Sequence, residues 1–132
     1  MADQAPKKRI AIFGSTGSIG TQALEVIRAN PGLFDVEILT AQTNDELLVK
    51  QALEFKPNAV VIGDETRYQK VKEALDKTLT KVFAGEKALE EVADFDSYGM
   101  MLAGIVGFAG LKPTMKAVEK GKPVGLANKE TL

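Results

Sequence analysis

The segment Lys8-Arg9-Ile10-Ala11-Ile12-Phe13-Gly14-Ser15-Thr16-Gly17-Ser18-Ile19-Gly20 sets the tightest limit on what this chain can fold into. An apolar strand pattern runs straight into glycines 14, 17 and 20, and a helical pattern follows. That order predicts the first βα unit of a parallel sheet. Glycine permits a turn with positive φ and leaves no Cβ between the main-chain N–H groups and an anion. A helix opening at Ser18 aims its first N–H groups and positive dipole end at the same place. The turn therefore reads as a phosphate cradle, whose usual occupant is a dinucleotide pyrophosphate. Its G-x-x-G-x-x-G spacing is a variant of the commoner G-x-G-x-x-G, and a purely structural tight turn is the competing reading.

The rest of the sequence keeps the alternation that such a unit begins. Strand-like runs are predicted at Arg9–Phe13, Phe34–Ala41, Ala59–Ile62, Lys81–Ala84, Gly99–Ala103 and Val124–Ala127. Most are nearly continuous apolar runs, as strands covered on both faces require. Between them, Ile19, Ala23, Val26 and Ile27 fall at helical spacing before the stop Asn30-Pro31-Gly32. A second helix has Asn44 as N-cap, buries Leu47, Leu48, Ala52 and Phe55, and stops before Pro57. Glu65–Lys77 presents Val71, Ala74 and Leu75 on one face, Glu86–Ala93 is shorter and acidic, and Lys112–Gly121 has Pro near its start and Gly just past its end. The expected fold is α/β, a Rossmann-like doubly wound, mostly parallel sheet with helices on both faces. Gly104-Ile-Val-Gly107-Phe-Ala-Gly110 repeats the glycine spacing of the first turn. It reads either as a second close approach to a ligand or as a turn needed for tight packing.

Composition excludes more than it assigns. The chain has 132 residues, enough for one domain with a sizeable core, and no cysteine or histidine. Disulfides, thiolate–zinc sites, cysteine nucleophiles and Ser-His-Asp triads are therefore closed to it. A formal charge of -1 argues against nucleic acid or an anionic membrane as partner. No apolar run approaches the roughly 20 residues of a membrane span. Residues 1–7 carry no apolar signal core and read as a flexible polar tail before a dinucleotide-binding domain over 8–132, with the cytoplasm as the default location.

The choice of dinucleotide rests on the end of the second strand. NAD sites place Asp or Glu there for the ribose 2′-hydroxyl. This chain reads Leu39-Thr40-Ala41-Gln42-Thr43-Asn44, without an acid, which favours NADP, and Thr43 and Asn44 offer donors to a 2′-phosphate. Against that, no Arg or Lys stands in the turn, and Asp45 and Glu46 follow at once. At the last strand, Asn128, Lys129 and Glu130 fall at the carboxyl edge of the sheet, where open α/β folds collect ligands. An amide, an ammonium and a carboxylate suit ribose, substrate oxygen and hydroxyl contacts, but Asn128 as a plain helix cap fits the residues equally well.

Three signatures occur in order: Gly14-Ser-Thr-Gly-Ser-Ile-Gly20, Ala103-Gly-Ile-Val-Gly-Phe-Ala-Gly-Leu111 and Leu126-Ala-Asn-Lys-Glu-Thr-Leu132. Together with Asn30-Pro31 they resemble the N-terminal domain of the 1-deoxy-D-xylulose 5-phosphate reductoisomerase family, from about Lys8 to the last residue. The resemblance implies an NADPH-dependent oxidoreductase that isomerises and reduces 1-deoxy-D-xylulose 5-phosphate to 2-C-methyl-D-erythritol 4-phosphate for isoprenoid biosynthesis. It implies that Thr16, Gly17, Ser18 and Ile19 line the pyrophosphate, and that Asn44 meets the 2′-phosphate region. Asn128 and Glu130 would contact NADPH and Lys129 the sugar-phosphate substrate. Gln42-Thr43 stand where many relatives carry Gly-Lys or Gly-Ser, which bears on how the 2′-phosphate is held. The family's Mg²⁺- or Mn²⁺-binding carboxylates and its substrate-phosphate residues lie in later domains, and the intact enzyme is homodimeric. The expectation is a truncated piece that lacks the downstream catalytic and C-terminal domains, holds no metal and is inactive alone. The alternatives are an aspartate-semialdehyde or homoserine type dehydrogenase, and a non-enzymatic nucleotide-binding regulatory module.

Overall fold

The structure is a computed structural model, and it describes residues 7–104 and 123–126. Strand β1 (Lys8–Phe13) leads into helix α1 (Ser18–Ala29), β2 (Phe34–Ala41) into α2 (Asp45–Phe55), and β3 (Ala59–Ile62) into a single 3-10 turn, Glu65–Arg67, and α3 (Tyr68–Ala74). Then come β4 (Lys81–Ala84), α4 (Glu86–Ala93), β5 (Met100–Ala103) and β6 (Val124–Leu126). The strands form one six-stranded parallel sheet in the order β4-β3-β2-β1-β5-β6. The chain steps outward from β1 to β4, then crosses back to pair β5 on the other side of β1. The order thus reverses beside β1, and such a switch opens a crevice at the carboxyl ends of the strands.

Period-two alternation splits the apolar strand residues between two cores. On one face Ile10, Ile12, Val36, Val60 and Ile62 pack with Leu24 and Ile27 of α1, Leu48 and Ala52 of α2, Val71 of α3 and Leu75 at its C-terminal cap. On the other, Ala11, Phe13, Ile38 and Val61 pack with Ala88, Leu89 and Val92 of α4 and with Tyr98 and Met101. The run Val60-Val61-Ile62 is fully buried, and each such side chain contributes about 1.5–3 kcal/mol of burial free energy. Helices on both faces make the fold doubly wound, as the sequence pattern predicts.

Two local expectations are corrected. The packed stripe of α1 is Gly20, Leu24 and Ile27, while Ile19 is half-buried and Val26 is 57% exposed among the described residues. Gly20 dictates this rotation: a Cβ there would lie 2.3 Å from the Gly14 carbonyl oxygen, so the helix is seated on the turn at that residue. The helix expected over Glu65–Lys77 is shorter. Asp64 Oδ1 accepts from the Thr66 amide at 3.0 Å and holds a 3-10 turn, regular helix spans only Tyr68–Ala74, and Ala74 is exposed. The short polar side chain of Asp64 competes with the helical ladder at its start. Of the expected tail, Lys7 is described, its ammonium 3.7 Å from Asp35. The predicted helix Lys112–Gly121 lies outside the described residues.

Candidate functional site

The turn after β1 is built from both sides. Gly14 takes φ +89°, a conformation that favours glycine, and its amide reaches the Thr40 carbonyl oxygen at 3.1 Å and the Thr40 hydroxyl at 3.0 Å. The Ser15 amide donates to the same carbonyl at 2.8 Å. A register slip between β1 and β2 pairs Ile10 with Val36 but Ala11 with Ile38, leaving Glu37 as the extra residue. Beneath the turn, Ser15 is fully buried. Its hydroxyl donates to Gln51 Oε1 at 2.7 Å, and Gln51 Nε2 donates back to the Ser15 carbonyl at 2.9 Å. This reciprocal pair ties the turn to the middle of α2 and is absent from any reading of local sequence. Only the amphipathic misfit of a buried glutamine could have signalled it.

Thr16, Gly17, Ser18 and Ile19 form the outer surface of the turn, Gly17 and Ser18 exposed and the other two half-buried. The first helical bond runs from the Thr21 amide to the Gly17 carbonyl at 2.9 Å, so the amides of Ser18, Ile19 and Gly20 have no helical acceptor. Gly17 is the N-cap, no side chain caps the helix, and its first turn carries no acid. A Cβ at Gly17 would meet nothing closer than the Gly14 carbonyl oxygen at 3.6 Å, with φ at -77°. The fold itself therefore does not demand glycine at 17, whereas it does at 20. A bare, glycine-surfaced helix start at the switch point is suited to receive an anion.

The neighbouring helix start is treated in the opposite way. Asn44 is exposed, and its Oδ1 accepts from the Leu47 amide at 3.1 Å, the N-cap that the sequence predicts. Asp45 and Glu46 fill the first turn. Asp45 is 3% exposed; its Oδ1 accepts from Arg67 Nη1 at 2.8 Å, and its Oδ2 lies 3.1 Å from the Lys70 ammonium. The Lys70 ammonium first, and then the Arg67 guanidinium, hold its carboxyl below the ordinary range against the opposing effect of burial. Two cations thus stand beside the turn that follows β2, although the turn's own sequence contains none.

Gly104, first of the second glycine series, donates its amide to the Phe13 carbonyl at 2.8 Å and so abuts the first turn. The rest of that series lies outside the described residues, as do Asn128, Lys129 and Glu130. The backbone of β6 ends at Leu126, beside Ala103 of β5, on the same sheet edge as the turn. Among the described residues no group of three or more acidic, histidine or cysteine side chains is placed to hold a metal ion. No helix among them is long and apolar enough to cross a membrane.

A sequence model of 1-deoxy-D-xylulose 5-phosphate reductoisomerase matches residues 10–132. The reductoisomerase of Phocaeicola vulgatus is 52% identical over 126 residues, covering 96% of this chain and 33% of the relative. That of Bacteroides fragilis is 51% identical over 130 residues, covering 98% of this chain and 34% of the relative. The solved Zymomonas mobilis reductoisomerase in complex with NADPH superposes with a TM-score of 0.89 at 38% identity, over 96% of this chain and 33% of that one. A reductoisomerase crystal structure with NADPH, fosmidomycin and magnesium gives 0.87 at 33% identity, over 95% of this chain and 31% of that one. The chain spans about a third of the length of the relatives it matches.

Proposed function

The chain belongs to the 1-deoxy-D-xylulose 5-phosphate reductoisomerase family, and from that premise we propose that it is the NADPH-binding domain of such an enzyme, which isomerises and reduces 1-deoxy-D-xylulose 5-phosphate to 2-C-methyl-D-erythritol 4-phosphate. Membership displaces the aspartate-semialdehyde and homoserine dehydrogenase alternatives. The observation that carries the reading is the uncapped, acid-free start of α1, surfaced by Gly17 at the sheet's switch point. The amides over Thr16–Ile19 would hold the pyrophosphate, while Asn44 Nδ2 would face the 2′-phosphate because Oδ1 is committed to the helix cap. Asn128 and Glu130 would meet the cofactor, and Lys129 the sugar phosphate.

When bound, NADPH supplies hydride from C4 of the nicotinamide, and in the intact enzyme a divalent ion polarises the substrate oxygens. The part of this chain is orientation. Ser15 and Gln51 brace the turn from below, and the bare amides above them would hold the pyrophosphate and so orient the cofactor. We assign the metal carboxylates and the dimer contacts to segments of the relatives beyond the third that this chain spans, so chain 1–132 alone turns over no substrate.

Titration with NADPH, followed by nicotinamide fluorescence, tests the cofactor role. Saturable binding that weakens about tenfold in Gly17→Ala, with folding stability within about 1 kcal/mol of the parent, is the expected result. Failure of the unsubstituted chain to bind overturns the reading. Reductoisomerase turnover by purified chain 1–132 overturns the division of labour.

A further inference from the structure

The turn Gln42-Thr43-Asn44 has no cation of its own, and α2 opens on Asp45 and Glu46, two charges that would repel a phosphate. The third βα unit answers this deficit. Arg67, at the end of the 3-10 turn after β3, donates Nε to Asp64 Oδ2 at 3.2 Å and Nη1 to Asp45 Oδ1 at 2.8 Å. Asp64 is itself fixed by the Thr66 amide at 3.0 Å and the Thr66 hydroxyl at 2.6 Å. Lys70, on the next turn of α3, lies 3.1 Å from Asp45 Oδ2 and 3.9 Å from Glu46 Oε1. The buried acid at the start of α2 is therefore neutralised from both oxygens, and its charge is withdrawn from the turn.

The cations are not consumed by that task. A guanidinium carries five N–H donors in a planar fork, and the two bonds above use two of them. The Arg67 side chain is 42% exposed and that of Lys70 64%, while the Asp45 side chain beneath them is 5% exposed. The acid is inside and the positive charge outside, at the carboxyl edge where the turn after β2 meets the turn after β3. The backbone binds the two turns together: the Gly63 and Asp64 amides donate to the Ala41 and Gln42 carbonyls, each at 2.8 Å. A planar donor fork anchored on one side and open on the other is the geometry that recognises a phosphate dianion.

We propose that Arg67 and Lys70 are the residues that select a 2′-phosphorylated dinucleotide in this chain, taking over from the β3–α3 unit the charge that the turn after β2 lacks. The assignment rests on the reading that the first turn holds a nicotinamide dinucleotide. Asp45 is the positioning residue: it holds both cations at the turn and bears no contact with the ligand.

The test compares NADPH and NADH affinities of the 132-residue chain and its variants by nicotinamide fluorescence. In Arg67→Gln,Lys70→Gln the NADPH affinity falls about tenfold or more, while NADH affinity stays within about threefold. Lys70→Gln alone, an exposed substitution that leaves the Arg67–Asp45 bond in place, gives a smaller loss confined to NADPH. Asp45→Asn, which keeps the shape but releases both cations from their anchor, lowers NADPH affinity while NADH affinity stays within about threefold. Equal losses for the two cofactors in the double variant, or an unchanged ratio between them, overturn the assignment and reduce the network to a tie between helices, with the dinucleotide site intact. Absence of binding of either cofactor by the unsubstituted chain overturns the dinucleotide reading itself, and this assignment with it.

Discussion

Gly17 and Gly20 stand three residues apart in one turn, and their replacement by alanine should fail in different ways. At Gly20 the added methyl would lie 2.3 Å from the Gly14 carbonyl oxygen and 2.6 Å from Ser15 Cα, both backbone atoms that cannot swing aside. Gly20→Ala must lift α1 from the turn, and a loss of about 3 kcal/mol in denaturant melts is expected, in the range of overpacked cores. At Gly17 the nearest atom is 3.6 Å away, so Gly17→Ala costs at most the ~1 kcal/mol that a poorer N-cap brings, and its main loss is cofactor affinity. Gln51 offers a sharper probe of the same turn. In Gln51→Glu, the protonated acid can still accept from the Ser15 hydroxyl and donate to the Ser15 carbonyl, but the carboxylate cannot donate. Burial raises the new group's pKa in the folded state, so its cost builds as pH climbs from the unfolded carboxylate range, about pH 4, toward that raised value and vanishes below both. A variant about 1–3 kcal/mol less stable than the parent at pH 7, with the gap narrowing toward pH 5, is the expected result in paired melts. A gap independent of pH would show that the reciprocal bond is not what holds Ser15. The glycines were legible in the sequence because their neighbours in space are neighbours in the chain. Gln51 and Arg67 were not, since each acts on a residue 36 or 22 positions away, and only the sheet order brings them together.

The strands were the most legible elements. Phe34–Ala41, Ala59–Ile62 and Lys81–Ala84 begin and end where the apolar runs and their flanking glycines and polar residues place them. Ala59–Ile62 is buried throughout, as a strand covered on both faces requires, while β2 carries Asp35 and Glu37 and the edge strand β4 the exposed Lys81. Helices were legible in position but less so in orientation. The rotation of α1 is set by a steric contact at Gly20 and not by its most apolar stripe, and the start of α3 is remade by the Asp64 side chain. The two helix starts beside the cleft also differ in a way that a substitution can separate. The α1 start has no side-chain cap, whereas Asn44 caps α2 and, on the proposed reading, also faces the 2′-phosphate. Asn44→Ala removes both and should cost about 1 kcal/mol of stability together with NADPH affinity. Asn44→Asp keeps a capping oxygen and favours the helix dipole, yet sets a negative charge at the phosphate. Stability equal to or above the parent's, with NADPH affinity reduced more than NADH affinity, is expected in melts and fluorescence titrations. Equal affinity losses for the two cofactors would remove Asn44 from the phosphate subsite.

For the molecule as a whole, stability is bounded by ionisation on both sides of neutrality. On the acid side, Asp45 is held below its ordinary range chiefly by Lys70 and then Arg67, and Asp64 chiefly by Thr66. A carboxyl whose pKa is lower in the folded state binds fewer protons there than in the unfolded chain. The stability it lends is therefore complete above the unfolded carboxylate range, about pH 4, and is lost as pH falls through the folded value. On the alkaline side the governing group is Tyr98, almost wholly buried between α4 and β5, whose hydroxyl donates to the Ala93 carbonyl oxygen. Burial first, and then the Asp94 charge, push its phenol from 10.0 up to about 12. Between those values the unfolded chain releases the proton and the folded chain keeps it, so stability declines as pH rises from 10 to about 12. Tyr98→Phe separates this group from the other alkaline changes. At pH 7 the variant lacks the bond to Ala93 and should be about 1 kcal/mol less stable. It has no phenol to ionise, so its deficit should shrink as pH rises past 10 and reverse sign well before about 12. Denaturant melts of the two proteins across that range measure the difference directly. Parallel curves would mean that the phenol ionises alike in both states, and that Tyr98 stabilises the α4 face by packing alone.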